Sequence, residues 1–341
     1  MHKPTTAAVN LYWKRLLAPY SRADDRVAWF QLLSTGALFA LNWLVMLWSL
    51  RGPYWVTMLL ALPASGLLTR LFIFQHDCGH GAFFKATRLN NLVGSIIGCL
   101  TLTPYAYWRR THAIHHANSG DLDHGRTFGE VITLTVDEYL ALSPWRRLKY
   151  RAYRNLFVLL VLGPFYQFVI KHRFPLDTPR RWRREWRSVA FTNVAVGAMV
   201  ALAWWLIGWK QLLLVQAPIT LISGAGGVWL FYVQHQFEDT YWREHPEWNF
   251  HRAAIEGSSF YDLPAILHWF TGNIGFHHIH HLASRIPNYR LKECFRKVPE
   301  LHEVTRLTIL GSLRSARLHL WDEEGGRLVG FGHLRTLRAR A

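Results

Sequence analysis

The sequence predicts an all-α integral membrane protein, with four transmembrane helices in two hairpins, interfacial helices and a metal-binding cap on one membrane face. Half of the chain is hydrophobic, and four long runs are almost free of charged side chains. A helix needs roughly 20 apolar residues to cross the hydrocarbon core of a bilayer, and each run meets that length. Nine of the 19 histidines lie in three short clusters, the first of which directly follows the second run, and the single His235 follows the fourth.

Composition excludes several other classes of protein. A disordered chain would be poor in aromatic and apolar residues, whereas this one has 17 Trp, 20 Phe and 13 Tyr. Three cysteines are too few for a secreted disulfide scaffold of 341 residues. The formal net charge of +17 would suit a nucleic-acid-binding protein, but bilayer-length apolar runs would not. We therefore expect no nucleic-acid partner.

The predicted spans form two hairpins with very short links. Two shorter apolar stretches, 91–108 and 155–170, are interrupted by Pro104 and Pro164 and are predicted to be interfacial or re-entrant. Arg70 is the only charged residue in the second span, and we expect its side chain to reach the headgroups from near the helix end. The four spans cover residues of about 27–50, 53–75, 188–209 and 211–233.

This arrangement places the segments 1–26, 76–187 and 234–341 on the same side of the membrane. The segment 76–187 is rich in arginine, whereas the two opposite loops contain only Arg51 and Lys210 as basic residues. Because positive charge is enriched in cytoplasmic loops, we expect the histidine clusters and both termini to be cytoplasmic. The run RRWRREWR at 180–187 is interpreted as a juxtamembrane patch facing anionic lipids.

Three histidine clusters have the spacing of residues on one helix face, QHDCGH at 75–80, HAIHH at 112–116 and HHIHH at 277–281. A further histidine, His235, lies at the end of the fourth span, while His278 should point away from the shared face of its cluster. So many imidazoles suit two metal ions better than one. A zinc protease would need His-Glu-x-x-His, and a ferritin-like di-iron site would need glutamates. The sequence therefore predicts a dimetal site with nitrogen ligands, although imidazole alone does not identify the metal.

QHDCGH, HAIHH and GFHHIHH followed by LASRIPNYRL resemble the three histidine boxes of the integral-membrane fatty acid desaturases. The order of the boxes and the hairpin between the second and third also match, and the resemblance runs from about residue 27 to residue 300. The form NIGFHHIHHL…RIPNY looks most like bacterial acyl-lipid desaturases of the delta-12 or omega-6 type.

The resemblance implies a non-haem di-iron centre that uses O2 and two electrons to introduce a cis double bond into a lipid-linked acyl chain. It implies no catalytic side chain beyond the metal centre, a separate electron donor such as ferredoxin, and a place in the bacterial inner membrane. Four carboxylates, Asp77, Glu238, Asp239 and Asp262, are candidates to orient the imidazoles. The metal ligands carried over by position are His76, His80, His112, His115, His116, His235, His277, His280 and His281.

The chain divides into a desaturase domain, residues 1–300, and a cytoplasmic tail, residues 301–341. Alternating apolar residues around Glu324-Gly325-Gly326 predict a small β-hairpin in that tail. Two alternatives remain open: a related di-iron hydroxylase or ketolase acting on an alkane, acyl chain or carotenoid, and a non-enzymatic membrane metal-binding or transport protein. The remaining histidines have no assigned role, namely His2, His124, His172, His245, His251, His268, His278, His302, His319 and His333.

Overall fold

A computed structural model describes residues 6–126 and 131–338. The described chain is mostly helical, and four of its helices are long and apolar enough to cross a membrane, which confirms the predicted fold class. The α-helices are α1 (Thr6–Leu17), α2 (Asp25–Ser49), α3 (Tyr54–His80), α4 (Thr87–Leu100), α5 (Tyr105–Asn118), α6 (Val136–Ala141), α7 (Pro144–Tyr153), α8 (Arg183–Ile207), α9 (Trp209–His235), α10 (Phe250–Glu256), α11 (Ala265–Phe270), α12 (His277–Leu282), α13 (Asn288–Lys297), α14 (Ile309–Ser312) and α15 (His333–Arg338).

The candidate spans are α2, α3, α8 and α9, and they form the two expected hairpins. Helix α3 is the central one: it packs against α2, α4 and α9, and half of its most apolar window is buried inside the protein. The corresponding window of α8 is only 6% buried, so its apolar side chains face outward, where lipid would solvate them. The helix that carries the first histidine cluster is thus held on several sides by the others.

The carboxyl ends of α3 and α9 lie at the same end of the bundle. Helix α3 extends to His80, beyond the predicted span limit at residue 75, so the first cluster is part of one continuous helix. The amide of Lys85, shortly after α3, donates a hydrogen bond of 2.9 Å to Asp25 at the start of α2. This contact places the beginning of one span beside the end of the next, as an antiparallel hairpin requires.

The two interrupted apolar stretches form helices packed beside the bundle. The first becomes α4 and the start of α5, with Pro104 directly before α5. The second, together with α7, is a helix pair bent by 61°, in which the π-helical segments Val158–Leu162 and Phe165–Lys171 follow the bend. By length and composition this pair qualifies as a broken span or a re-entrant segment.

Small sheets join the C-terminal segment to the rest of the cap. Strands β1, β4 and β5 form one sheet, in which β1 pairs with β4 in parallel and β4 with β5 as an antiparallel hairpin at the predicted place. Strand β3 pairs in parallel with β2. Residues beyond 300 therefore pack into the same cap as the histidine-bearing segments. The strands are β1 (Leu134–Thr135), β2 (Phe260–Asp262), β3 (Arg306–Thr308), β4 (Leu320–Asp322) and β5 (Arg327–Val329).

Arg70 does not reach the headgroups as the sequence predicts. Its side chain is buried, donates hydrogen bonds to Thr35 and to the carbonyl of Trp269, and lies 4.4 Å from the Trp269 ring centroid. The expectation was wrong because α11 covers this face of α3, an arrangement that depends on contact between residues far apart in the chain. The guanidinium thus joins α11 to the second span.

The patch at 180–187 also differs from a simple lipid-facing surface. Trp182 is buried under the guanidinium of Arg110, whose central carbon lies 3.9 Å from the Trp182 ring centroid. Arg110 also forms an ion pair of 3.1 Å with Glu185, a buried carboxylate. Part of the patch therefore packs against α5, while its other arginines are exposed.

Arg154 is a buried hydrogen-bond donor that connects the cap to the end of α9. Its guanidinium donates to the carbonyls of Ile132 and Leu318, to the Tyr232 hydroxyl and to Oε1 of Gln236, at 2.8–3.2 Å. Several acceptors would lose their partner at once if this side chain were removed. An unsatisfied buried polar group costs about 1–3 kcal/mol.

We therefore expect Arg154→Met to lower the free energy of unfolding by more than about 2 kcal/mol. Thermal denaturation of the detergent-solubilised protein, combined with limited proteolysis of the segment after residue 300, measures the effect. Arg146→Met is the matched control, because Arg146 is exposed on α7, the helix that Arg154 directly follows. Equal melting temperatures for the two variants would contradict the proposed role of Arg154.

Candidate metal centre

Nine histidines form two adjacent groups at the end of the bundle. The ligand nitrogens within each group all lie within 4.8 Å of one another. The first group, called site A, contains His76, His80, His112, His116 and His280. The second group, called site B, contains His115, His235, His277 and His281. These nine residues are the complete set expected from the sequence, gathered from α3, α5, α9 and α12.

The imidazoles of site A approach each other through their Nε2 atoms. His116 Nε2 lies 3.1 Å from His112 Nε2 and 2.9 Å from His280 Nε2. The buried Nε2 of His80 has no hydrogen-bond partner among the described atoms. Since a buried polar atom without a partner is costly, this nitrogen fits a position where it would coordinate a metal ion.

In site B the imidazoles also approach each other through their Nε2 atoms, but all four residues are buried. His277 Nε2 lies 2.9 Å from His235 Nε2, and His115 Nε2 lies 3.3 Å from His281 Nε2. His235 also directs its Nδ1 at the carbonyl of Gly257, at 3.0 Å, so its Nε2 is the nitrogen that faces the group. In site A, by contrast, His80, His112 and His116 are partly exposed.

The second and third histidine clusters are each divided between the two sites. On α5, His112 and His116 belong to site A and His115 to site B; on α12, His277 and His281 belong to site B and His280 to site A. Around a helix, residue i+4 is rotated by about 40° from residue i, whereas residue i+3 is rotated from residue i in the opposite direction. Each helix therefore lies between the two sites and supplies both. The rings of His116 and His281 stack at 4.1 Å where the sites meet.

Trp108 fixes the orientation of His112. Its ring stacks on that imidazole at a centroid distance of 4.4 Å and an angle of 18°. The first histidine box contains Gly79 at the point of contact, where a Cβ atom would lie 2.9 Å from the Trp108 ring. The glycine between the two box histidines of α3 thus permits the close approach of α5.

The four candidate carboxylates have different surroundings. Asp77 is buried, and its Oδ1 lies 3.2 Å from Nδ1 of His76. Its Oδ2 accepts hydrogen bonds from the backbone and side-chain amides of Asn288, at 2.7 and 2.9 Å. Glu238 and Asp262 instead form ion pairs with Arg327 and Arg306.

Asp239 is exposed. In the described part of the chain, neither site includes an aspartate or glutamate. Only Asp77, among the four candidates, has a described contact with a histidine of the two sites.

The electrostatic environment favours neutral imidazoles. Burial, and then the neighbouring imidazoles, hold the pKa of five cap histidines well below the ordinary range. These histidines are His112, His116, His277, His280 and His281. Their imidazoles are therefore neutral at pH 7 and offer a lone pair. Neutral nitrogens converging at each site, with no carboxylate among them, fit soft or borderline transition metals rather than Mg²⁺ or Ca²⁺.

Comparison with known proteins agrees with this geometry. The sequence profile of the fatty acid desaturase family matches residues 53–309. The chain belongs to the fatty acid desaturase family. This confirms the predicted function class: the protein is a membrane fatty acid desaturase and an oxidoreductase, with histidine groups that could hold metal ions.

Individual relatives of this desaturase cover most or part of its length. A fatty acid desaturase of Bacillus subtilis is 43% identical over 97% of this chain and 93% of its own. An sn-1 oleoyl-lipid 12-desaturase of Synechocystis is 25% identical over 91% of this chain and 88% of its own. The chain spans 56% of an Arabidopsis thaliana sn-2 acyl-lipid omega-3 desaturase (ferredoxin), with 30% identity over 76% of this chain.

Histidines outside sites A and B include one that was placed correctly from the sequence and a further group that was not predicted. His278 lies outside both sites, with its Nε2 3.1 Å from the carbonyl of Leu301 and its ring beside Phe295, as its offset spacing predicts. A third group of possible metal ligands, Asp121, His124 and His245, was not predicted. The spacing Asp-x-x-His at 121–124 was the only signal for it in the sequence, because His245 joins from a distant loop.

Proposed function

We propose that this desaturase is a non-haem di-iron enzyme that introduces a cis double bond into the acyl chain of a membrane lipid. The observation that supports this most directly is the pair of adjacent nitrogen-only sites at the ends of membrane-length helices. An unactivated methylene group offers no acidic proton and no electrophilic centre. Side-chain acids, bases and nucleophiles alone are therefore insufficient, and a bound metal has to supply the oxidising power.

In this proposal site A would hold one iron ion and site B the other. The bound pair would supply the activation of O2 that breaking the two C–H bonds requires. The overall reaction takes a CH2–CH2 pair, O2, two electrons and two protons to a CH=CH pair and two water molecules. Two oxygen atoms accept four electrons, two from the acyl chain and two from the donor, so the reaction balances.

The side chains of the protein would position the metal ions and exclude water from part of the centre. The candidate ligands lie at the ends of α3 and α9, on α5, which packs against α3, and on α12, which packs against α10 and α13, so packed helices set their geometry. His76 is held by Asp77, and His112 by Trp108. The complete burial of site B keeps water from that half of the centre.

The substrate is proposed to be an acyl chain drawn directly from the bilayer. The centre lies where the candidate spans end, and the outer faces of α2, α8 and α9 are apolar and exposed. Relatives are named as acyl-lipid and oleoyl-lipid desaturases, which supports a lipid-linked rather than a soluble substrate. The partly exposed histidines of site A mark the side on which the centre is open.

Electrons are proposed to come from a separate, acidic carrier such as ferredoxin. A relative carries ferredoxin in its name. On this chain, exposed basic residues surround the histidine end of the bundle, and opposite charge would steer an acidic carrier towards it. The exposed basic residues include Lys85, Arg88, Arg110, Arg180, Arg181, Arg183, Arg184 and Arg187.

The same charge distribution supports the proposed topology. With the arginine-rich segments in the cytoplasm, the histidine boxes, both termini and the tail 301–341 would face the cytoplasm, and the membrane would be a bacterial inner membrane. Residues 1–300 would carry the centre, and the tail would close the cap over it through β3, β4 and β5.

The proposal predicts new double bonds in the lipids of a host that lacks polyunsaturated fatty acids. Full-length protein would be expressed there, and intact lipids and released fatty acids profiled by mass spectrometry under ¹⁸O2. We expect products two mass units lighter than their precursors, with no ¹⁸O incorporated and no product without O2. Purified enzyme should require both iron and a reduced donor such as ferredoxin.

His280→Ala is the inactive control for this experiment. Products that carry ¹⁸O would contradict desaturation and indicate a hydroxylase. An unchanged lipid profile from protein that contains iron and is reduced by the donor would contradict the proposed acyl-lipid substrate.

A further inference from the structure

A third cluster of metal-ligating side chains lies outside sites A and B, between the loop that follows α5 and the loop that follows α9. Asp121 is almost completely buried, at 1% exposure, whereas the side chains of His124 and His245 are more than half exposed. Asp121 Oδ2 lies 2.7 Å from Nδ1 of His245 and 3.2 Å from Nδ1 of His124. One potential ligand atom from each residue lies within 4.8 Å of the others.

The distances between these potential ligand atoms can be compared with those around a tetrahedral metal ion. Zinc bonds of about 2.0–2.2 Å to nitrogen and carboxylate oxygen place neighbouring ligand atoms roughly 3.3–3.5 Å apart in a tetrahedron. The contact of Asp121 with His124, at 3.2 Å, is close to that range. Its contact with His245, at 2.7 Å, is shorter by about 0.6 Å, so the exposed side chain of His245 would have to move outward by about that distance to admit an ion in place of the hydrogen. The exposed outer side of the cluster leaves room for water as a further ligand.

The carboxylate of Asp121 is oriented and charged for this role. Its Oδ1 accepts hydrogen bonds from the backbone amides of Asp123 and His124, at 2.9 and 3.1 Å, which directs Oδ2 at the two imidazoles. Burial raises the pKa of Asp121, but hydrogen bonds from the His245 side chain and from these amides outweigh it, and the pKa is lowered overall. The buried group is therefore an anion that faces two imidazole rings.

The cluster also lies where the loop after α5 meets the loop after α9. The amide of Leu122 donates to the carbonyl of Arg243, and the amide of Arg243 donates to the carbonyl of Gly120, at 2.9 and 3.0 Å. Gly120 has φ +74, and a Cβ atom there would lie 2.6 Å from the carbonyl oxygen of Tyr241. The backbones of the two loops are therefore in close contact at a position that requires glycine. One loop continues from the helix that carries His115, and the other from the helix that ends at His235.

We propose that Asp121, His124 and His245 bind a borderline transition-metal dication, such as Zn²⁺, as a structural ion that clamps these two loops together. Two imidazoles and one carboxylate form a ligand set that zinc commonly takes in proteins. The ion would add a metal cross-link to two backbone hydrogen bonds at the cap. The alternative is a metal-free arrangement in which both imidazoles donate their Nδ1 hydrogens to Asp121.

Zinc content distinguishes these alternatives and does not depend on the proposed acyl-lipid substrate. Iron-loaded full-length protein, purified in detergent with a tag that contains no histidine, would be equilibrated with Zn²⁺ and passed through a desalting column. Elemental analysis then measures zinc and iron per chain. We expect one zinc per chain in addition to the iron, and a higher melting temperature with zinc than without.

His124→Ala and His245→Ala should each weaken zinc binding at least tenfold, and the double variant should retain no zinc. Iron content and desaturase activity should stay close to wild type, because neither residue belongs to site A or B. His302→Ala replaces an exposed histidine whose described contacts are with Phe295, so this variant should bind zinc like the wild type. Equal zinc in the wild type and the double variant, or none in either, would overturn the proposal in favour of the metal-free arrangement.

Discussion

His280→Ala and His115→Ala should each abolish desaturation, although they remove proposed ligands from different sites. His280 belongs to site A and His115 to site B. Losing a residue that merely orients a metal-ligating histidine already costs about 10–100-fold in metal affinity or activity, so the loss of a ligand should leave less than about 1% of activity. If the two sites bind separately, each variant should retain roughly one of two irons. Iron per chain and fatty-acid profiles measure the two effects.

The third histidine box contains its own control. His278 lies between the ligands His277 and His280 on the six-residue helix α12, but it points at the carbonyl of Leu301 instead of either site. His278→Ala should therefore keep both irons and most activity, while the loss of the hydrogen bond to this buried carbonyl lowers stability by about 1–3 kcal/mol. Size-exclusion chromatography in detergent checks that each variant is folded. Full activity in His115→Ala or His280→Ala would contradict the ligand assignment.

Asp77→Ala should weaken the binding of iron at site A by about 10–100-fold, the usual cost of losing a carboxylate that holds a metal-ligating histidine. Asp77 is the carboxylate beside Nδ1 of His76, and both residues are almost completely buried. Without it, the imidazole loses its orienting partner and part of its basicity. Retention of iron against a chelator, measured as a function of chelator concentration, reports the change directly.

Asn288→Ala separates this effect from a general loss of structure. Asp77 also receives two hydrogen bonds from Asn288 at the start of α13, and the alanine variant removes the side-chain one while leaving His76 and Asp77 in place. We expect Asn288→Ala to lower the melting temperature but to hold iron nearly as tightly as the wild type. Asp77→Asn should be intermediate, because the amide oxygen can still accept from His76. Identical iron retention in Asp77→Ala and Asn288→Ala would show that Asp77 acts only through stability.

Much of the architecture was predictable because it depends on local sequence. Long apolar runs determine where a helix can cross a bilayer, and the short links between them force antiparallel hairpins. That is why residues from 27 to 233 indicated four spans and placed all three histidine boxes at one end. Arg70 shows the limit of this reasoning: its position in a span was evident, but its burial depends on α11, nearly 200 residues later in the chain.

Helical spacing identified eight of the nine histidines that the fold gathers into sites A and B, since residues three and four apart share a helix face. The ninth, His235, was identified by its position at the end of the fourth span. The same spacing could not divide them between two sites. His115 and His280 each belong to a different site from the other grouped histidines of their own box, because α5 and α12 lie between the two sites. That placement follows from the packing of elements that are distant in the chain.

The tertiary structure also distinguished the four carboxylates and revealed the cluster around Asp121. Asp77 lies next to a ligand in the chain, whereas Glu238 and Asp262 face arginines from the C-terminal segment that no local pattern connects to them. His245 reaches Asp121 across 124 positions, through a loop contact that only the folded cap creates. The sequence by itself thus determined a membrane desaturase with histidine clusters that could hold metal ions. Which imidazoles lie close enough to share an ion was decided by packing, because coordination depends on distances in space rather than on spacing along the chain.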